Sequence, residues 1–106
     1  MKPEAPEEAA AGVTRRQRVV ELLTRGELSF EELRRELEAP ARTLEEDLRH
    51  VERSLRRGPE RLAVEPALCL ACGFVFTDRV PRRFHAPSRC PRCRSERIAE
   101  PRFHIG

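Results

Sequence analysis

All four cysteines of this chain lie in one stretch, CLACGFVFTDRVPRRFHAPSRCPRC, where they form two pairs. Two residues stand inside each pair, and seventeen residues separate the pairs. This spacing is typical of four-cysteine zinc sites, in which two tight turns each supply two thiolates to one tetrahedron. The sequence therefore predicts one structural Zn²⁺, with four ligands: Cys69, Cys72, Cys90 and Cys93.

The residues around the pairs refine this prediction. Gly73 directly follows the first pair and suits the tight turn of a zinc knuckle, whereas the second pair has Pro91 inside it and Arg94 after it. A redox dithiol is a weaker interpretation, because one cysteine pair would suffice for thioredoxin-like chemistry and no βαβ pattern surrounds either pair. A catalytic zinc needs an open position and a general base. His85 and His104 are the nearby bases, but four sulfurs close the site, so we expect no enzyme.

Three amphipathic helices are predicted upstream of the cysteines, near residues 14–25, 29–38 and 43–57. Each begins with the same start signal, a hydroxyl residue followed three positions later by Gln or Glu. These capping boxes are Thr14 with Gln17, Ser29 with Glu32, and Thr43 with Glu46. Apolar residues then recur at helical spacing, most regularly in the third helix, as Leu44, Leu48, Val51 and Leu55. The short connections require the three helices to pack on one another.

The remaining segments divide the chain. Residues 1–12 are rich in Pro, Glu and Ala without apolar periodicity, which predicts a disordered tail. Residues 61–65 and 101–105 alternate apolar and polar side chains, which predicts two strands that flank the cysteines. We therefore expect a tail over 1–12, a helix-turn-helix domain over 13–60 and a zinc ribbon over 61–106. If the two strands pair, the ribbon is built out of a hairpin that follows the third helix.

Composition limits the classes of function. The chain has 106 residues and a formal net charge of +3, which permits a nucleic-acid partner without requiring one. No apolar run approaches the roughly 18 residues of a membrane span, and the acidic start is not a secretory signal. Paired thiols without a secretory signal favour metal binding in a reducing compartment. The expected location is the cytoplasm, with no membrane partner.

The second and third helices have the proportions of a helix-turn-helix, in which the last helix reads the major groove of DNA. The outward face of that helix carries mostly basic residues: Arg42, Glu46, Arg49, His50, Arg53 and Arg57. Three acids, Glu45, Glu46 and Asp47, stand in its predicted first turn, where groove contact usually occurs. A solvated, salt-bridged helix in a packing or protein-interaction unit has the same pattern.

The order of these segments resembles a known family, the small prokaryotic predicted transcriptional regulators with a helix-turn-helix fused to a zinc ribbon. The resemblance covers roughly residues 14–105 and is most specific in TLEEDLRHVERSL, VEPALCLACGF and SRCPRCRSERI. It implies an α+β fold, with a three-helix winged-helix-like helix-turn-helix followed by a small β zinc ribbon with rubredoxin-like knuckles. It also implies the four cysteines as zinc ligands, residues 43–57 as the recognition helix, and sequence-specific DNA binding.

The predicted function is a DNA-binding transcriptional regulator that acts on double-stranded DNA, as a homodimer on a two-fold site. The candidate DNA contacts are Arg42, Thr43, Arg49, His50, Arg53, Arg82 and Arg83. The main alternative is a zinc-ribbon adaptor that docks on transcription or other nucleic-acid machinery. Two further alternatives are a thiol or metal sensor and an RNA-binding module. The latter would stack bases on Phe74, Phe76 and Phe84, but these rings are expected to form the core, since so small a ribbon has little else to bury.

Overall fold

The computed structural model describes residues 7–77 and 84–106, with side chains from residue 14 onward. Three helices come first, with one short strand among them, and four strands follow. The elements are α1 (Glu7–Arg25), β1 (Leu28–Ser29), α2 (Phe30–Leu37), α3 (Ala41–Leu55), β2 (Leu62–Glu65), β3 (Leu68–Cys69), β4 (Ile98–Ala99) and β5 (Arg102–Ile105). The fold is therefore α+β, with three helices followed by a β region, as the sequence predicted.

The first helix begins earlier than its sequence signal. It starts at Glu7, so Thr14 lies inside the helix and does not cap it. Residues 7–11 read Glu-Glu-Ala-Ala-Ala, and these strong helix formers extend the helix past the capping signal. The predicted disordered tail is therefore wrong for residues 7–12, while residues 1–6 lie outside the described part of the chain.

The second helix begins as the sequence predicted. Ser29 Oγ accepts the N–H of Glu32 at 3.2 Å, and Glu32 Oε1 accepts the N–H of Ser29 at 2.8 Å. These two bonds satisfy donors that a helix start leaves unpaired, so the capping box is confirmed. The helix stops at Glu38, whose φ of 50° turns the chain out of the helical path.

The third helix begins two residues before its predicted cap. Pro40 is the N-cap residue, with φ −64°, and no side chain caps this helix end. The N–H of Leu44 donates to the carbonyl of Pro40 at 3.0 Å, so the first turn closes on the proline. Because the proline ring already fixes φ near the helical value, it starts the helix without help from Thr43. The predicted capping box at Thr43 is therefore wrong.

Two antiparallel sheets follow from the strands. The larger sheet has the order β1–β5–β2, in which Val64 and Leu28 both face Phe103 across the ladder, and Leu62 faces Ile105. Both predicted strands are present and pair with each other. The smaller sheet pairs β3 with β4 and lies, in sequence, between β2 and β5. The cysteine region is thus an insertion between two neighbouring strands of the larger sheet.

One hydrophobic core joins the helices to the larger sheet. Leu44, Leu48 and Val51 are buried, which confirms the predicted apolar stripe of α3. Among the residues that the structure describes, the buried cluster contains Val19, Leu23, Phe30, Leu33, Leu44, Leu48, Val51, Phe84, Phe103 and Ile105. Phe84 comes from the inserted region, and its ring packs edge-to-face on that of Phe103 at 5.8 Å. The core therefore includes a residue that the sequence had assigned to the ribbon.

None of the helices in the described part of the chain is long and apolar enough to cross a membrane.

Candidate functional site

The four cysteine sulfurs converge at one point of the inserted region. All four lie within 4.8 Å of one another. The sulfurs of Cys69 and Cys93 are 3.5 Å apart, and those of Cys72 and Cys90 are 3.6 Å apart. Sulfurs at the corners of a zinc tetrahedron with Zn–S bonds of about 2.3 Å stand about 3.8 Å apart. The cluster therefore fits one four-coordinate zinc ion.

The first knuckle is a tight turn closed by backbone hydrogen bonds. The N–H of Gly73 donates to the carbonyl of Cys69 at 2.9 Å, and the N–H of Cys69 donates to the carbonyl of Phe74 at 2.8 Å. Gly73 has φ 82°, a left-handed conformation that glycine adopts without steric cost. The turn buries Cys69 and leaves Cys72 exposed, so the ligand pair points from the protein interior toward solvent.

The second knuckle repeats the first without its glycine. The N–H of Arg94 donates to the carbonyl of Cys90 at 2.8 Å, and the N–H of Cys90 donates to the carbonyl of Ser95 at 2.9 Å. Cys90 is buried and Cys93 exposed, as in the first pair. Arg94 takes the left-handed position itself, with φ 64°. The missing glycine therefore changes no hydrogen bond of the turn but places an arginine in a strained backbone conformation.

A matched pair of substitutions tests this strain. Arg94→Gly is expected to stabilise the zinc-loaded protein by about 0.5–1 kcal/mol, because it removes the left-handed strain at the cost of some unfolded-state entropy. Gly73→Ala is expected to destabilise it by about 1 kcal/mol. No atom lies within 4 Å of the Cβ that alanine would add there, so the cost is conformational. Urea denaturation compares both variants with wild type; an Arg94→Gly protein no more stable than wild type contradicts the prediction.

Charge in the cluster explains why it needs a cation. Burial raises the pKa of the Cys69 thiol, but the backbone N–H groups of Cys72 and Ala71 outweigh burial and bring this pKa to about 6. The N–H of Phe74 lowers the pKa of Cys72, but desolvation and the sulfur of Cys69 raise it to about 12. One sulfur thus ionises readily while a neighbour resists. A divalent metal offsets half of the charge of four thiolates and so favours the ionised form of all of them.

The predicted DNA contacts of α3 share one side of the helix. Arg42, His50 and Arg53 are exposed, and Thr43 and Arg49 are partly exposed. The guanidinium of Arg49 lies 3.9 Å from the carboxylate of its neighbour Glu45. The two remaining candidates, Arg82 and Arg83, lie outside the described residues.

Two of the three consecutive acids of α3, Glu45 and Asp47, are buried. Asp47 is 1% exposed and accepts hydrogen bonds from Arg15 and Arg16 of α1, the latter at 3.1 Å. The hydrogen bond from Arg15 to Asp47 raises the pKa of the Arg15 guanidinium. Because α3 begins at Ala41, its first turn carries no acid. The expectation that acids crowd the first turn is therefore wrong, and Glu46 is the exposed one of the three.

Glu45 fastens the inserted region to α3. Its carboxylate oxygens accept the backbone N–H of Phe84 at 2.7 and 3.0 Å, and one of them lies 3.1 Å from Nδ1 of His85. The His85 ring in turn packs edge-to-face on Phe30 at 6.2 Å. No pattern in the sequence predicted this contact, which joins residues 39 positions apart. Its available signal was an acid on the apolar side of α3, directly beside Leu44.

The three phenylalanines proposed as stacking platforms lie in two different environments. Phe84 is 1% exposed and belongs to the core, so it offers no face to a base. Phe74 and Phe76 are partly buried and pack edge-to-face on each other at 4.9 Å. The alternative of Phe84 as a stacking platform is therefore wrong, and the prediction that it is a core residue is confirmed.

The geometry defines a small protein in which a four-cysteine zinc ribbon follows three helices, and comparisons with known proteins agree. Residues 14–63 match the family described as PF0610-like, N-terminal, and residues 66–106 match the PF0610 rubredoxin-like zinc beta-ribbon domain. The solution NMR structure of protein PF0610 from Pyrococcus furiosus is similar to this chain, with a TM-score of 0.72 and 34% sequence identity. The match covers 100% of this chain and 96% of that one.

This chain therefore belongs to the PF0610-like family. Its rubredoxin-like ribbon and four convergent cysteines confirm the prediction of one structural Zn²⁺. No curated protein matches the chain.

Proposed function

We propose that this protein is a DNA-binding transcriptional regulator of the winged helix-turn-helix type. In this proposal α2 and α3 form the helix-turn-helix, α3 is the recognition helix, and β2 and β5 form the wing. The support is the order of elements, since an antiparallel pair of strands directly follows α3 and a short strand between α1 and α2 completes the sheet. The zinc ribbon is then an extension of the wing.

The exposed face of α3 is the observation that carries this proposal. Arg42, His50 and Arg53 face solvent, while Glu45 and Asp47 are buried and hydrogen-bonded elsewhere. With two of its acids turned inward, the exposed face of α3 has more cations than acids, and such a face attracts the negatively charged phosphates of DNA. A helix that is merely solvated would not be expected to bury two acids.

The proposed mechanism is non-enzymatic. Arginines of α3 neutralise phosphates, and Arg49 or Arg53 can pair with a guanine edge through two hydrogen bonds. Bound zinc supplies a cross-link between the two knuckles, held by Cys69, Cys72, Cys90 and Cys93. One copy offers a single recognition helix, so we propose a homodimer on a two-fold site. Four cysteines without a disulfide fit the reducing cytoplasm, which is the proposed location.

Fluorescence anisotropy of the zinc-loaded protein tests the proposal. Binding is measured on random duplex and on fragments from upstream of its own gene, at several salt concentrations. We expect one fragment to bind about 10³-fold tighter than random duplex, and affinity to fall steeply with salt. Arg53→Ala is expected to weaken specific binding about tenfold to a hundredfold. Arg18→Ala, an exposed arginine on α1, is the matched control and is expected to change little.

Two results contradict the proposal. In the first, both duplexes bind equally weakly near physiological salt. In the second, Arg53→Ala and Arg18→Ala weaken DNA binding equally. The arginines of α3 then contribute only to the net charge of the protein, and not to specific recognition.

A protein-interaction adaptor is the second candidate, and one feature of the ribbon favours it. Leu68, Leu70 and Val75 are 36%, 55% and 44% exposed. Leu68 pairs with Val75 across a β-bridge, and Leu70 lies in the turn that directly follows β3. Exposed aliphatic side chains suit a protein partner, such as transcription machinery, better than a nucleic acid. Weak, salt-insensitive DNA binding favours this candidate.

A further inference from the structure

The two segments that flank the second knuckle form hydrogen bonds with the two helices of the proposed helix-turn-helix. We propose that the zinc ribbon is a metal-dependent brace for α3, with Glu45 as the positioning residue that couples zinc occupancy to this helix. The coupling itself is independent of the proposed DNA binding. Its consequence, that loss of zinc weakens DNA recognition, rests on the proposed function.

The first fastening point is the segment that leads into the second knuckle. Phe84 and His85 lie six and five residues before the zinc ligand Cys90. The N–H of Phe84 is held by both oxygens of Glu45, at 2.7 and 3.0 Å, and the Phe84 side chain is buried in the helical core. A short span therefore connects a zinc ligand to a buried carboxylate of α3.

The second fastening point is the segment that leaves the second knuckle. Seven residues after Cys93, the carboxylate of Glu100 accepts the N–H of Glu31 at 2.8 Å, in the first turn of α2. The carbonyl of Pro101 accepts the N–H of Phe30 at 3.2 Å. These bonds satisfy donors that the start of α2 leaves unpaired. The second knuckle is thus tied to α3 on one side and to α2 on the other.

In this proposal, bound zinc holds the second knuckle in place relative to the contacts with α2 and α3. Between Pro66 and Glu100, within the described residues, few side chains other than Phe84 are buried: Ala67, Cys69 and Cys90. So small a core does not hold a fold without a cross-link, so removal of the metal releases the second knuckle. Phe84 and its N–H then lose the constraint that presents them to Glu45. A buried carboxylate without its donors is unfavourable, so α3 must shift or admit water.

Zinc affinity gives the sharpest test, because coupling between two sites is reciprocal. If zinc strengthens the Glu45 contact, loss of that contact must weaken zinc binding by the same factor. Glu45→Ala is expected to lower zinc affinity about tenfold, which is the scale of a hydrogen bond to a charged group. Glu45→Gln keeps one oxygen for the N–H of Phe84 and is expected to lie between alanine and wild type. It also preserves the test if the alanine variant does not fold.

The measurement is competition of the full-length protein with a chromophoric zinc chelator, with no DNA present. Glu46→Gln is the matched control, since this acid is adjacent on the same helix and exposed. We expect its zinc affinity to equal that of wild type. If both Glu45 variants also bind zinc like wild type, the brace is overturned. Because no step involves DNA, this outcome is distinct from failure of the proposed function.

Backbone amide resonances provide an independent measurement. In the wild-type protein, removal of zinc by the chelator is expected to shift the amides of residues 44–51 in α3 as well as those of the ribbon. In Glu45→Ala, where the link is already cut, the amides of α3 are expected to respond much less. Changes confined to residues 66–100 in the wild-type protein overturn the proposal.

Discussion

Replacement of Phe84 by alanine is expected to lower the free energy of unfolding of the whole protein by about 3–5 kcal/mol. The ring is 1% exposed and fills space between the helices and β5, where it packs on Phe103 at 5.8 Å. Alanine leaves a cavity that the surrounding core residues fill only in part. The free energy is measured by urea denaturation of the zinc-loaded protein, followed by the helical circular dichroism signal.

Phe76→Ala is the control for this variant. Phe76 lies in the ribbon, is partly buried and packs on Phe74 rather than in the helical core. Its loss is expected to cost less than half as much, because a partly exposed ring leaves no closed cavity. If Phe84→Ala and Phe76→Ala change the helical transition equally, then Phe84 contributes no more to the helical core than any aromatic residue of the ribbon.

Local patterns predicted the metal site completely and the helices in part. Cys69, Cys72, Cys90 and Cys93 were recognisable because a knuckle is a local turn, whose ligand spacing is set by the tetrahedron it must fit. The buried stripe of α3 was recognisable for the same reason, since helical periodicity is local. A carboxylate that accepts the N–H of a residue 39 positions away leaves no periodic trace, so the role of Glu45 appears only in the folded chain.

The helix starts show how local signals compete. Three capping boxes were predicted, and the one at Ser29 is present. There the chain enters α2 directly from β1, whose pairing with β5 holds Ser29 in the extended conformation that an N-cap needs. At Thr14 an Ala-rich run precedes the signal, and before Thr43 a proline already starts the helix. A capping motif therefore defines a helix start only where the preceding residues cannot themselves be helical.

The same competition decides the chemistry of α3. Glu45, Glu46 and Asp47 are consecutive, and the sequence alone placed all three near the end that a recognition helix presents to DNA. An earlier helix start and the partners supplied by α1 and the ribbon turn two of them inward. Acids that argued against DNA binding are thus structural contacts, and the exposed side of the helix becomes predominantly basic.

Replacement of Asp47 by alanine is expected to destabilise the protein by about 2–3 kcal/mol, because a buried carboxylate with charged donors is lost. Asp47 is 1% exposed and holds α3 to α1 through Arg15 and Arg16. The cost stays below that of a fully buried pair, since both arginines reach water and can be rehydrated.

Glu46→Ala is the matched control for Asp47→Ala, since it removes an exposed acid from the next position of the same helix. It is expected to change stability by less than about 0.5 kcal/mol. Reversing the charge of each arginine in turn shows which of the two contributes more to the contact with Asp47. If Arg15→Glu costs more than Arg16→Glu, the guanidinium that donates two hydrogen bonds to Asp47 is the principal partner. Equal stability of Asp47→Ala and Glu46→Ala contradicts the role of Asp47, and α1 is then held to α3 by the apolar core alone.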